Sequence, residues 1–224
     1  MIFGNQKAII DQISLKEVEE DENMKGVHIG FCGIDGAGKS TQAALMCGWL
    51  TRKGVPNLLR EGKRDFVSEM ALAIAKTHSE KSGRKYFGEE YYMFALSFDL
   101  LREAMLDVRP FLATGTTVVS ARTVFCRLAG GLLRECRSLD LAKEVALFGG
   151  IPDIVIWLDT SPEVAYRRVI ERGLDIATVE HLKLYQVAVS EILQCYPHVK
   201  VNGDEPIDSV RLEVQNIVEK ALRL

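Results

Sequence analysis

Gly33-Ile34-Asp35-Gly36-Ala37-Gly38-Lys39-Ser40 sets glycines, a lysine and a hydroxyl at the spacing G-x-x-x-x-G-K-[ST]. Glycines let a backbone wrap closely with its N–H groups turned inward on phosphate oxygens. A helix starting at the end of the loop would add the positive end of its dipole. Lys39 would supply a mobile cation for the outer phosphates, and the Ser40 hydroxyl a ligand for magnesium. The expected nucleotide-binding residues are therefore Gly33, Asp35, Gly36, Ala37, Gly38, Lys39, Ser40 and Thr41, with ATP and Mg2+ as cofactors and Ser40 on the metal.

Two further groups could do chemistry. Arg167, Arg168 and Arg172 follow Ser161-Pro162 within one helix length. By themselves they would solvate a helix face and favour its C-terminal end. Beside a phosphate loop they could instead clamp a phosphoryl group in transit, whose charge spreads over its equatorial oxygens. Asp159 ends the apolar run Ile154-Val155-Ile156-Trp157-Leu158, a spacing that suits a metal-supporting aspartate at a strand end.

Such residues need a scaffold, and the chain supplies alternating strand and helix signals. Val27-His28-Ile29-Gly30-Phe31-Cys32 reads as a buried strand delivering the loop. A helix should run from about Ser40 to Lys53, closed by Gly54 and Pro56. Further strands are expected at Asn57-Leu58-Leu59-Arg60, Thr116-Thr117-Val118-Val119-Ser120, residues 154–158 and His198-Val199-Lys200-Val201. Phe94, Leu101 and Met105 share one face of a long helix before Arg109-Pro110, and Val124, Leu128, Leu132 and Leu133 mark the next. Ser161 is the expected cap of a helix with Pro162 in its first turn. Val210, Val214, Ile217, Val218 and Ala221 form the stripe of a last helix. The predicted fold is α/β, of the P-loop NTPase type: a five-stranded parallel sheet with helices on both faces and ligands at the carboxyl ends of its strands.

Composition narrows the class. A chain of 224 residues with 47% hydrophobic residues is long enough for one well-filled domain, expected over 26–224. Residues 1–25, with an acidic run at 17–22, read as an appended, solvated extension. A net charge of −3 gives no basic patch for nucleic acid, and no apolar run approaches a membrane span. Cys32, Cys47, Cys126, Cys136 and Cys195 are scattered without metal spacing, which together with the lack of a secretory leader pattern points to a reducing cytoplasm. No guanine-reading N-K-x-D is present, and the small size favours a kinase over a motor-type ATPase.

Gly33 to Ser40 with Thr41-Gln42, including the aspartate within the loop, closely resembles the phosphate loop of the thymidylate kinases. Pro152-Asp153, the strand to Asp159 and Thr160-Ser161-Pro162-Glu163 are similar to that family's fourth strand and following turn. Arg167, Arg168, Arg172 and Gly173 fall where the family has its arginine-bearing lid. The resemblance runs from about Val27 to the C-terminus. It implies that Asp35 meets the acceptor sugar and that Lys39 and lid arginines stabilise the moving phosphoryl group. Ala37 stands where some members carry a loop arginine, so Arg168 or Arg172 takes that role. It further implies that Arg122 grips the acceptor phosphate, that Asp159 serves a turn and cap beside the lid, and that the protein is a homodimer.

The departures cluster on the acceptor side. The family's Asp-Arg-Tyr after the third strand reads Ala121-Arg122-Thr123, without the carboxylate expected to support magnesium. Asp99 and Glu61 are the other candidates to replace it. Pocket-shaping serine, tyrosine and glutamine positions become Cys126, Arg127 and Gly130-Gly131, and an Asp-Arg pair becomes Asp99-Leu100. The segment after the second strand has become Arg60-Glu61-Gly62-Lys63-Arg64-Asp65, and a lid arginine has become Ile176. Removing the groups that hydrogen-bond thymine removes the discrimination they provide. The expectation is an ATP-dependent phosphotransferase acting on a nucleoside monophosphate or a related phosphorylated small molecule. The alternatives are a kinase of a non-nucleotide metabolite and a kinase fold that holds ATP without turnover.

Overall fold

The computed structural model describes residues 26–62, 66–173 and 177–224. The extension at 1–25, the substituted positions 63–65 and Ile176 lie outside the described residues. Five strands form one parallel sheet: β1 (His28–Cys32), β2 (Asn57–Arg60), β3 (Thr117–Ser120), β4 (Ile154–Asp159) and β5 (Val199–Asn202). Their order is β2-β3-β1-β4-β5, with β1 paired to β3 and β4. The helices are α1 (Lys39–Arg52), α2 (Phe66–Thr77), α3 (Gly83–Phe87), α4 (Glu89–Glu103), α5 (Arg109–Ala113), α6 (Val124–Leu133), α7 (Leu139–Phe148), α8 (Pro162–Arg172), α9 (Val179–Leu193) and α10 (Ile207–Leu222). One π-helical turn, Ala104–Val108, joins α4 to α5.

Alternation along the strands divides the interior in two. Ile29, Phe31, Ile156 and Leu158 face α1 and α10, against Met46, Leu50, Val214 and Val218. Cys32, Val155 and Trp157 face the other way, onto Phe125, Leu128 and Ala129 of α6 and Val189 and Leu193 of α9. Both faces being covered explains why β1 and β4 read as unbroken apolar runs. Burying Phe125 and Leu128 completely contributes about 2–3 kcal/mol each, which pins the start of α6 under the sheet's carboxyl edge. That edge is where the phosphate loop leaves β1, Arg122 follows β3 and Thr160 follows β4.

Three local expectations change. Met105, expected on the buried face of the long helix, is exposed. The π turn accommodates more residues per turn than an α-helix and rotates Met105 out of register with Phe94 and Leu101. Ser161 makes no side-chain cap to α8; its own N–H is held by Asp204 Oδ1 at 2.8 Å, and Pro162 opens the helix. At the end of α10, Ala221 faces outward and Leu222 packs on the core in its place.

Candidate active site

The loop after β1 is wedged between β4 and α8. Gly33 has φ +146°, and a Cβ there would stand 2.6 Å from the Leu158 carbonyl oxygen. Gly36 has φ +89°, and its Cβ would stand 2.3 Å from the Ala165 carbonyl oxygen in α8. Only glycine meets both the conformation and the close approach. Lys39 Nζ reaches back to donate to Gly33 O and Ile34 O, each at 2.8 Å. Burial lowers its pKa, opposed by the nearby Cys126 and Asp35. Its ammonium is thus held inside the loop by two backbone carbonyls, with the Asp35 carboxylate at 4.0 Å, a set that phosphate oxygens can replace. Ser40 and Thr41 are exposed in the first turn of α1.

Two cavities meet this loop. The larger, about 600 Å³, is lined by Gly38, Thr41, Arg168, Arg172 and the turn from Gly203 to Ile207. Arg168 Nη1 donates to Gly203 O at 2.9 Å, so its guanidinium stands between α8 and the turn after β5. The smaller, about 160 Å³, lies between the loop, α4, α6 and α9 and includes Asp35, Arg122, Cys126, Arg127 and Tyr185. Asp35 lines the smaller cavity at the phosphate loop, with Arg122 Nη2 at 3.4 Å from Oδ1 and Lys39 Nζ at 4.0 Å. Arg127 Nη2 donates to Gly62 O at 3.3 Å, bringing the segment after β2 against the site. Tyr185 donates its hydroxyl to Cys126 O at 2.6 Å, and burial raises its pKa. The Cys32 and Cys126 sulfurs lie 3.4 Å apart beneath Lys39.

Asp159 is occupied on both oxygens, by Gln186 Nε2 at 2.7 Å and Lys200 Nζ at 2.6 Å. Those contacts tie β4 to α9 and β5. Asp99 is buried and accepts the Val67 N–H at 2.7 Å, which anchors the start of α2. Glu61 is exposed beside Gly62. Ala121 is fully buried where the resembled family carries its carboxylate. Among the described residues no three His, Cys, Asp or Glu side chains converge as a metal site. The residues that fit a Mg2+–triphosphate are the glycine cradle, Lys39 and the exposed Ser40 hydroxyl, in which the phosphates themselves supply most of the ion's ligands.

The sequence-predicted residues assemble as two groups. Gly33 to Thr41, Arg168 and Arg172 border the larger cavity or its loop, while Arg122 and Asp35 face the smaller one. Sequence reasoning missed Arg84, Arg134, His181 and Tyr185 of the smaller cavity and Gly203 to Ile207 of the larger. The glycine pair 130–131 followed by Arg134 was the one available signal. Arg60, next to the substituted segment, turns away to pair with Glu103 and with Asp107 at 3.0 Å.

Comparison with known proteins agrees with this geometry. A family model described as thymidylate kinase matches residues 31–210. A probable thymidylate kinase of Thermococcus gammatolerans is 26% identical over 208 residues, covering 88% of this chain and 98% of the relative. A probable thymidylate kinase of Archaeoglobus fulgidus is 29% identical over 203 residues, covering 86% and 94%. A thymidylate kinase of Neisseria gonorrhoeae is 33% identical over 150 residues, covering 65% and 70%.

Proposed function

This chain belongs to the thymidylate kinase family of P-loop nucleoside monophosphate kinases, and on that premise we propose that it transfers the γ-phosphoryl of ATP to a nucleoside monophosphate other than thymidylate. The observation that carries this reading is the Asp35–Arg122–Lys39 cluster where the complete phosphate loop meets the smaller cavity, while Gly36 to Gly38 of the same loop line the larger one. An acceptor phosphate held by Arg122 would lie in line with a γ-phosphate on Lys39. Its oxygen forms the new bond to phosphorus as the bond to the ADP oxygen breaks. Lys39 and the arginines of α8 offset the charge on the phosphoryl oxygens, and Asp35 orients the acceptor through its sugar. Bound Mg2+ would neutralise the outer phosphates, with Ser40 as its protein ligand.

ADP release with ATP and Mg2+ tests this against nucleoside monophosphates, deoxynucleosides and phosphorylated sugars. Turnover with one monophosphate class, lost in Lys39→Ala, is the expected result. Arg122→Ala should raise the acceptor KM at least about tenfold, the scale of one lost charge-assisted contact. An unaltered KM would remove Arg122 from the acceptor site.

The buried Ala121 in place of a carboxylate favours a second reading, an ATP-holding module without turnover. ATP binding with no ADP release across the panel would select it. A homodimer is proposed from the family likeness and from exposed Phe98, Leu106 and Met105 along α4 and the π turn. Sedimentation as a monomer at working concentration would overturn that assembly. Among the described residues no helix is long and apolar enough to cross a membrane, and a cytoplasmic enzyme with neither nucleic-acid nor membrane partners is the corresponding proposal.

A further inference from the structure

We propose that Arg134 and Arg84 form a guanidinium subsite at the far end of the smaller cavity, selecting an acceptor whose remote end presents two adjacent hydrogen-bond acceptors and no donor. The inference rests on reading that cavity as the acceptor site. Four arginines line it, Arg84, Arg122, Arg127 and Arg134, against the carboxylates Asp35 and Glu89. Asp35 is engaged near the phosphate loop. At the other end Arg84 Nε stands 3.4 Å and Arg134 Nε 3.6 Å from the same oxygen, Glu89 Oε2. Two cations there share one carboxylate. Arg84 Nε is buried without a hydrogen bond of good geometry, and its guanidinium stacks 4.8 Å from the Tyr92 ring. Burial and the like charge of Arg84 both press on the Arg134 guanidinium. An incoming anion or acceptor pair relieves that repulsion.

The glycine pair makes room for this arrangement. Arg134 Nη1 donates to Gly130 O, and a Cβ at Gly130 would stand 2.9 Å from that nitrogen. At Gly131 a Cβ would stand 2.7 Å from Met93 Sδ and 2.8 Å from Leu139 Cδ1, so an apolar wall fills that side. The Arg134 guanidinium therefore rests against Gly130, whose backbone lies about 9 Å of helix rise along α6 from its first residue. Arg122 stands just before that first residue. Both guanidiniums line the same cavity, so one nucleotide could place its phosphate on Arg122 and its base edge on Arg134.

A purely structural pair is the competing explanation, tying α3 and α4 to the end of α6. Glu90 makes a separate tie, from α4 to the turn before α7, accepting from Arg137 N at 2.7 Å, Ser138 N at 2.9 Å and the Ser138 hydroxyl, and the nucleotide preference of the Arg134 variant separates the two explanations. The guanidinium fork matches a carboxylate or the O6 and N7 edge of guanine. Cytosine and adenine edges present an amino donor and would set donor against donor. Guanylate and a pyrimidine nucleotide bearing a ring carboxylate share the required chemistry, and binding distinguishes them.

The test is calorimetric titration of the full chain, with a non-hydrolysable ATP analogue present, by guanosine, cytidine, adenosine and thymidine monophosphates and a 5-carboxyuridine monophosphate. ADP release is measured in parallel. Guanylate or the carboxylated nucleotide should bind at least about tenfold more tightly than cytidylate, the scale of one bidentate pair. Arg134→Met should bring that ratio to within about threefold, the loss falling on the preferred nucleotide. A flat wild-type ratio, or a ratio that Arg134→Met leaves intact while weakening all acceptors alike, overturns the subsite. Arg84→Met is the second variant if Arg134→Met does not fold, with the same expected collapse. Selective binding without ADP release would retain the subsite and reject the phosphotransferase; turnover with a flat ratio would do the reverse. Absence of binding by every monophosphate overturns both.

Discussion

At the scale of single residues, Lys39 is the cation carried by the phosphate loop itself. It donates only to two backbone carbonyls of its own loop, so its removal should leave packing intact while withdrawing the cation from the outer phosphates. Lys39→Ala is expected to lower the ADP-release rate by about 10²–10³, the range for losing one preorganised charge-stabilising group. A loss under tenfold would place the stabilising charge elsewhere. Cys126 offers a second residue-scale check. The neighbouring Cys32 thiol and, secondarily, the Lys39 ammonium hold its pKa well below the usual thiol range, and it stands in the first turn of α6. Burial instead pushes Cys47 up to about 11. Cys126 is nevertheless buried and Cys195 exposed, so brief treatment with iodoacetamide at neutral pH should modify Cys195 first and reach Cys126 and Cys47 only slowly, as read by peptide mass spectrometry. A bound acceptor should slow the labelling of Cys126, which lines the smaller cavity, and leave Cys195 unaffected; labelling of Cys126 as fast as Cys195 would contradict its burial.

At the scale of elements, α8 matters to the phosphate loop through backbone rather than side-chain contact. Gly36→Ala would drive a Cβ against the Ala165 carbonyl at a positive φ, and neither β4 nor α8 has slack to absorb it. The substitution should weaken ATP binding at least about tenfold and lower stability by about 1–3 kcal/mol, measured by nucleotide titration and urea unfolding. Unaltered ATP affinity would mean that α8 is not part of the cradle. The same contact shows how much of the site was legible locally. Loop, strand and helix are contiguous in the chain, and the glycine positions foretell the backbone they adopt. The role assigned to Ser161 was not legible, because Asp204, from the turn after β5, takes over the N–H that a local reading leaves to the cap. The π turn likewise has no local marker, and it alone reverses the exposure of Met105.

At the scale of the whole molecule, His28 couples folding to pH. It joins three parts of the sheet: Nε2 lies 2.8 Å from Ser120 Oγ on β3, and the His28 backbone N–H donates to Asp153 Oδ2 at 2.7 Å, just before β4. Burial lowers its pKa to about 4, against the pull of Asp153. The unfolded chain then takes up this proton at a higher pH than the folded one. The stability gained by keeping His28 neutral is full above about pH 6.5 and declines as pH falls toward 4. Urea midpoints should therefore drop between pH 6.5 and 4.5 with a slope approaching one proton, about 1.4 kcal/mol per pH unit. His28→Gln should flatten that slope; an equal slope in both proteins would assign the dependence to other groups.

What the sequence by itself determined is the phosphate loop, the strands and helices that carry it, and the parallel α/β class. These are written in contiguous residues, where glycine spacing and apolar periodicity act on the nearby backbone. The tertiary structure alone decided which side chains line the acceptor cavity. Arg84, Arg134 and Tyr185 come from α3, the end of α6 and α9, and they converge through helix packing on a shared sheet edge. It also decided that Asp159 and Asp99 are bound within the fold, while Asp35 stands between Lys39 and Arg122. A carboxylate's role depends on which charges and donors reach it first, and those arrive from elements far away in the chain.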